Sequence, residues 1–329
     1  MSKPAFALVA LSLIACAPAA ADDDLSDISF QLSANRHGSA QLALQYSSRP
    51  GSNSNHSNSY PWSNFSGVDA SDLGGASHPV SFTVSRGAGV LSCNGQAQNG
   101  RASGFCDFAG SQAYAEGLER RGIRGAEGVH LLHLALCDFD LAALDEFERL
   151  GYDRPSLDDV MAVAVHGVDA DYARGMAEAG YRLGDVGELV AMRIHGVTPD
   201  YVRSLASLGP AWRNIPADDI LALRIHGVTS EFAREMSALG YSNEEPSQLV
   251  AMRIHGVESG FVRELRELGF RDISSDDLIA ARIHGVTPDY VREIQEAGYR
   301  DLSIDQLISM RIHGVDSRYA RAMRRRDSN

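Results

Sequence analysis

Apolar and polar positions change rhythm once along this chain. Ile28, Phe30 and Leu32 alternate with polar residues, as do Leu42, Leu44 and Tyr46, and then Val80, Phe82 and Val84. A period of two is that of a strand with one buried face. Further on, apolar residues recur three and four apart, the spacing of one helical face. Tyr290, Ile294 and Ala297 form such a stripe at i, i+4 and i+7. The pattern predicts an α+β chain. A small antiparallel β-module at 22–108 precedes an α-solenoid of about 29-residue two-helix repeats at 109–329.

The helical half is written around one pentapeptide. Arg-Ile-His-Gly-Val stands at 193–197, 224–228, 253–257, 282–286 and 311–315, with a weaker copy at 164–168. Its histidines, His166, His195, His226, His255, His284 and His313, lie 29, 31, 29, 29 and 29 residues apart. A fixed period of this length is the signature of a stacked array. Ser274 with Asp277 and Ser303 with Gln306 are N-capping signals for a first helix. Gly285 ends it, and Thr287-Pro288 starts a second helix that stops at Gly298. Ser111, Tyr114 and Gly122 match this pattern, and Cys137 takes the histidine position in a degenerate copy. The first helix is apolar on most sides (Leu278, Ile279, Ala280, Ile283), so it is expected to be enclosed by neighbours. Helices this short are marginal alone and must stack.

In the β-module, 47–78 reads as a loop of about thirty residues rich in Ser, Asn and Gly, with Trp62 anchoring it to the sheet in preference to the alternative of stacking on a ligand. Asn99-Gly100 is the strongest two-residue hairpin signal, because a type I′ turn needs positive φ twice. If Gln98 faces Arg101, Ala97 lies opposite Ala102 and Cys93 opposite Cys106. That is a non-hydrogen-bonded pair, where side chains come closest, so a Cys93–Cys106 disulfide is predicted. Cys137 is left as a buried free thiol.

Charge and the N-terminus narrow the setting. A formal net charge of −13 argues against general nucleic-acid binding, which rests on a positive surface. Residues 1–21 read as an export signal, with Lys3 and then a short apolar core. Two processing readings stand: cleavage after Ala21, or a lipoprotein signal running to Ala15 that makes Cys16 a lipidated N-terminus. No other apolar run reaches membrane-spanning length, so membrane association is expected only if Cys16 is lipidated. The expected location is the periplasm, attachment to the outer membrane, or secretion.

Candidate sites come from the repeats. The histidine ladder is read as structural: each imidazole would hydrogen-bond carbonyls where the first helix ends and lock the turn. Stacked neighbours at ~8–10 Å are too far apart to share a metal, so no metal site is expected. A second ladder, Arg174, Arg203, Arg234, Arg263, Arg292 and Arg321, follows each histidine by eight residues. A third is Arg193, Arg224, Arg253, Arg282 and Arg311. Ion pairing with acids such as Asp200, Glu235 or Asp289 is one reading of them. The other is a guanidinium-lined groove for an anionic peptide, glycan or lipid head group, with the Arg174 ladder as the candidate anion site. No catalytic motif and no cofactor signature is present, and His130 and His133 beside Cys137 are read as core packing.

The repeats, with their RIHGVTPDYVRE string, resemble those of bacterial exported proteins, also appended to some β-lactam-receptor-type membrane metallopeptidases. The GQAQNGRASGFCDF and AYAEGLERRG segments look like the β-module accompanying them. The resemblance implies the architecture; the peptidase part is absent, so it implies no protease activity. The expectation is a non-enzymatic binding or sensing scaffold of the cell envelope, acting on a protein, peptide or anionic envelope ligand through its repeats. The alternatives are a structural envelope protein without a specific ligand, or an enzyme with an unrecognised site where the β-module meets the first repeats.

Overall fold

The computed structural model describes residues 25–49, 52–181, 184–242 and 244–327. The export-signal segment and Cys16 lie outside them. Six strands form one antiparallel sheet: β1 (Ser26–Ala34), β2 (Ala40–Arg49), β3 (Ser52–Tyr60), β4 (His78–Arg86), β5 (Gly89–Gln98) and β6 (Arg101–Gly110), in the order β3-β2-β1-β6-β5-β4. Their alternation sends Phe30, Leu32, Leu42, Leu44, Phe82 and Leu91 to one face, where all are buried. Four helices follow: α1 (Gln112–Arg120), α2 (Gly128–Leu136), α3 (Ala142–Leu150) and α4 (Leu157–Val165). Leu132 and Leu136 of α2 join the sheet's core, as do Phe65 and Leu73. Full burial of each such side chain contributes roughly 1.5–3 kcal/mol.

The 47–78 stretch is not one long loop. Its first part is β3, an edge strand paired with β2 in the register Leu44↔His56, Leu42↔Asn58 and Ala40↔Tyr60. An edge strand needs one neighbour and little apolar content, so backbone pairing holds what composition does not advertise. The rest makes two 3₁₀ turns, Trp62–Asn64 and Ala70–Leu73. Trp62 anchors as expected: its indole N–H donates to the Gly38 carbonyl at 3.0 Å and its ring lies 5.8 Å from that of Phe65.

The β5–β6 hairpin has the expected register, with Gln98↔Arg101, Ala97↔Ala102 and Cys93↔Cys106. Asn99 (φ 52) and Gly100 (φ 84) make the turn. Cys93 and Cys106 are disulfide-bonded with Cα atoms 4.0 Å apart, the close approach of a non-hydrogen-bonded pair. Cys137 is free but half-buried, not fully enclosed.

The sheet, α1, α2 and α4 form one compact unit, covering the described residues through Leu141 together with Ser156–Val165. The second unit holds Ala142–Pro155 and the described residues from His166 onward. Besides α3 it contains α5 (Ala170–Glu178), α6 (Val186–Ile194), α7 (Pro199–Ala206), α8 (Ala217–Ile225), α9 (Ser230–Ala238) and α10 (Pro246–Ile254). It continues with α11 (Ser259–Glu267), α12 (Ser275–Ile283), α13 (Pro288–Glu296), α14 (Ile304–Ile312) and α15 (Ser317–Asp327). Within it α6, α8, α10, α12 and α14 pack in succession, and so do α3, α5, α7, α9, α11, α13 and α15. The result is a two-layer repeat array, with the first helix of each repeat in one layer and the second in the other.

Each pentapeptide is a helix terminator. Gly196 has φ 70, and its N–H donates to the Arg193 carbonyl, while the Val197 N–H donates to that of Met192. These are the two bonds of a Schellman motif, and Val197 and Met192 supply its apolar contact, both buried. The same pair of bonds recurs after α8, α10, α12 and α14. The Val197 carbonyl then accepts a hydrogen bond from the Tyr172 hydroxyl of the preceding repeat at 2.8 Å. Tyr201 reaches the Val228 carbonyl at 2.7 Å and Tyr290 the Val315 carbonyl at 2.8 Å. In the first unit Tyr114 does the same to the Phe139 carbonyl at 2.8 Å, which confirms the degenerate copy around Cys137. Burial pushes the Tyr172 and Tyr201 hydroxyls up to about 12, so both stay protonated donors.

Phe232 and Phe261 occupy the tyrosine position without a hydroxyl. Tyr201→Phe should therefore destabilise the array by ~1–2 kcal/mol, since it leaves a buried carbonyl without its donor. Phe232→Tyr should stabilise it by ~0.5–1.5 kcal/mol by supplying the missing donor to Val257. Chemical denaturation of both variants checks the pair of signs.

Candidate functional site

The residues of the pentapeptide divide the work between stacking and surface. Arg193, in the last turn of α6, lays its guanidinium over the Tyr172 ring, 4.8 Å from the centroid. Arg224 lies over Tyr201 at 5.2 Å, Arg253 over Phe232 at 5.2 Å, Arg282 over Phe261 at 5.0 Å and Arg311 over Tyr290 at 4.6 Å. Each arginine thus caps a ring of the repeat before it, a contact of about 0.5–1 kcal/mol where exposed. The glycine leaves room for this: a Cβ on Gly256 would stand 2.9 Å from the Arg282 guanidinium.

The histidines are not where the sequence places them. His166, His195, His226, His255, His284 and His313 are all exposed, each closing a turn with its backbone while the imidazole faces solvent. Of these six imidazoles only that of His313 meets a carbonyl among the described residues, Nδ1 to Ser309 at 2.8 Å. The locking role assigned to the ring belongs to the glycine, the valine and the tyrosine of the preceding repeat. No group of three or more His, Cys, Asp or Glu lies together at metal-binding distance among the described residues.

The isoleucine is also misread by the apolar pattern. Ile194, Ile225, Ile254, Ile283 and Ile312 are between 53% and 57% exposed, although the helices that carry them are apolar on most sides. Four residues earlier, on the same side of each helix, stand Val190, Leu221, Val250, Ile279 and Ile308, buried or half-buried. The first-helix layer therefore presents one uncovered isoleucine per repeat, flanked by an arginine and a histidine, at the ~8–10 Å spacing of packed helices. Isolated exposed apolar side chains need no explanation, but a periodic row of them does.

The Arg174 ladder lies on the second helices and is largely engaged within the array. Arg174 meets Asp171 at 2.7 Å and Glu146 at 3.2 Å, and Arg203 meets Asp200 at 2.7 Å. Arg292 meets Glu264 at 2.9 Å and also Asp289. Arg263 donates to the Ser259 hydroxyl at 3.0 Å and Arg321 to the Ser317 carbonyl at 3.2 Å. Arg234 is exposed on α9. Arg149 first, and then Arg174, hold the Glu146 carboxyl down at about 2. These carboxylates stand where an incoming anion would have to bind.

In the sheet unit a small polar cluster is satisfied internally. The Tyr46 hydroxyl hydrogen-bonds His133 Nε2, and His56 Nε2 donates to the Tyr60 hydroxyl at 2.8 Å. That hydroxyl in turn donates to the Leu136 carbonyl at 3.2 Å. His130 Nδ1 accepts from the Glu127 N–H at 3.1 Å and caps α2. Burial pushes Tyr46 up to about 12 and raises the Cys137 thiol; it lowers both His56 and His133, the latter helped by the neighbouring His56 and His130.

Two expectations follow. His255→Ala should change stability by less than about 0.5 kcal/mol, as an exposed surface substitution does. A thermal melt of that variant checks it. His133 is lowered on folding from its ordinary 6.5, so the unfolded chain binds the extra proton first. Stability should accordingly be full above pH 6.5 and fall as the pH drops from there towards the folded value. Melting midpoints measured between pH 7.5 and pH 5 should show that fall, smaller in His133→Gln.

Against models of known families, curated proteins and solved structures alike, the chain finds no match.

Proposed function

We propose that the chain is a non-enzymatic binding scaffold of the cell envelope whose helical repeats engage a protein partner along the exposed isoleucine row. One observation carries this reading: five successive repeats each leave the same isoleucine uncovered, beside an arginine already held in place over a ring. Core positions of interfaces favour apolar side chains with arginine, and here both arrive in a fixed geometry. Covering a half-exposed isoleucine yields about 1 kcal/mol, so five together yield about 5 kcal/mol. That is comparable to the lower estimates of what association costs, so the row binds only as a whole. The signal-like N-terminal segment and the Cys93–Cys106 disulfide support the envelope as the setting. The Tyr46, His133, Tyr60 and His56 side chains satisfy one another, which favours packing over catalysis for the cluster.

A photo-crosslinking residue placed at Ile254 in living cells should yield a discrete crosslinked partner. The same residue at Glu296, on a second helix, should not. Ile225→Ala alone should weaken the crosslink from Ile254 only slightly, whereas Ile225→Asp combined with Ile283→Asp should abolish it. A crosslink of equal yield from both positions, or one insensitive to the paired aspartates, would refute the reading.

A further inference from the structure

The sheet has a second face, turned away from the apolar core, and its central rows are polar and uncharged. Strand pairing lays out its rows. One runs Asn55, Gln45, Ser29, Phe105, Asn94 and Ser81 across all six strands. The next runs Ser57, Ala43, Gln31, Ser103, Gln96 and Pro79. No position in either row is ionisable, and none is buried. In a chain of net charge −13, the carboxylates are kept off the middle of this face.

At its centre stands Phe105, 68% exposed, the most exposed large apolar side chain described. It borders a depression of about 400 Å³ that Gln31, Gln45, Ser29, Ser103 and Gly104 also line. That volume is within the range of small-molecule sites. Among the described residues the side-chain amides of Gln31 and Gln45 bond no neighbouring side chain, whereas Gln41, towards the far end of β2, is tied to Ser57 at 2.9 Å and Ser59 at 2.6 Å. Two amides with paired donor and acceptor groups therefore flank an exposed ring over a hydroxyl-lined floor.

We propose that this face binds a neutral glycan chain. The chemistry matches group by group. Each side-chain amide offers a donor and an acceptor to adjacent sugar hydroxyls. The Phe105 ring offers an apolar plate to the C–H face of one pyranose, as aromatic side chains do at binding surfaces. The absence of charge in the central rows makes the site electrically matched to an uncharged polymer: a charged ligand would find no counter-charge to repay its desolvation. The rows cross six strands spaced about 4.8 Å apart, so the face is long enough for several sugar units.

The test is isothermal titration of the intact chain at millimolar sugar, with three neutral hexasaccharides: β-1,4-linked N-acetylglucosamine, β-1,4-glucose and β-1,3-glucose. The anionic polygalacturonate hexamer is the charged control. At least one neutral hexasaccharide should bind, and the charged one should not. Phe105→Ala should weaken that binding about tenfold, while Phe105→Tyr, which keeps the ring, should retain it. Gln45→Ala should weaken it as well. Phe105 is exposed, so an unchanged circular-dichroism melt will show that the variants fold. Binding by none of the three, equal binding by wild type and Phe105→Ala, or preference for polygalacturonate would overturn the proposal. So would concentration-dependent self-association lost in Phe105→Asp with no sugar bound, which would make the face a contact between copies.

Discussion

Stacking in the helical array is organised around one recurring carbonyl. When the first helix of a repeat ends in a Schellman turn, the valine after the glycine leaves its C=O pointing out of the repeat. A buried carbonyl without a donor would cost ~1–3 kcal/mol, and the chain repeats that exposure every 29 residues or so. At Val197, Val228 and Val315 the solution is a tyrosine in the previous repeat, positioned at the third residue of the second helix by the capping threonine or aspartate, whereas Phe232 and Phe261 fill the same place without the hydroxyl. Thr198, for instance, accepts from the Tyr201 N–H at 3.1 Å. Cap, ring and carbonyl thus form one chain of dependence from repeat to repeat. The arginine that lies over the same ring closes the contact from outside.

This arrangement explains why the pentapeptide is repeated while its residues have unrelated fates. Glycine is required by its φ of 66–72 and by the approach of the next arginine. Valine is required by the apolar half of the Schellman motif, and arginine by the ring. Neither stacking nor termination requires the isoleucine or the histidine, since both side chains stand in solvent. Repetition alone therefore does not separate a structural residue from a surface one. Periodic identity says that every repeat uses a residue in the same way, and presenting it outward is one such use.

The same distinction decides what was legible in the sequence. The period, the glycine stops, the threonine caps and the Asn99–Gly100 turn were legible because each is a local constraint on φ or on an unpaired N–H. The Cys93–Cys106 pairing followed from the turn by counting alternation. The locking role of the histidine rings was misjudged because a cap position fixes the backbone and leaves the side chain undetermined. The isoleucines were misjudged for the converse reason: an apolar residue in a short helix was assumed to have a neighbour, and the two-layer packing supplies none on that side. β3 was missed because an edge strand can be held by backbone bonds to β2 alone, so its Ser, Asn and His carry no period-two signal. The tyrosine-to-carbonyl bond left a trace, the aromatic three residues after each cap, but its partner lies about 25 residues away, beyond any local pattern.

The two surfaces singled out differ in a way that bears on how such a chain would work. The isoleucine row is apolar and periodic, so its binding energy grows with the number of repeats engaged and is weak for any one of them. The outer sheet face is neutral and hydroxyl-rich, gathered around one ring, and its recognition rests on a few side chains of β1, β2 and β6. Rigidity serves both. The disulfide pins β5 to β6 directly beside Phe105, since Cys106 is the next residue along the strand and points to the opposite face. The ring is thus held by the same crosslink that closes the apolar core beneath it. A plate fixed from below loses little conformational freedom when a ligand settles on it, and small contacts there retain more of their energy as affinity.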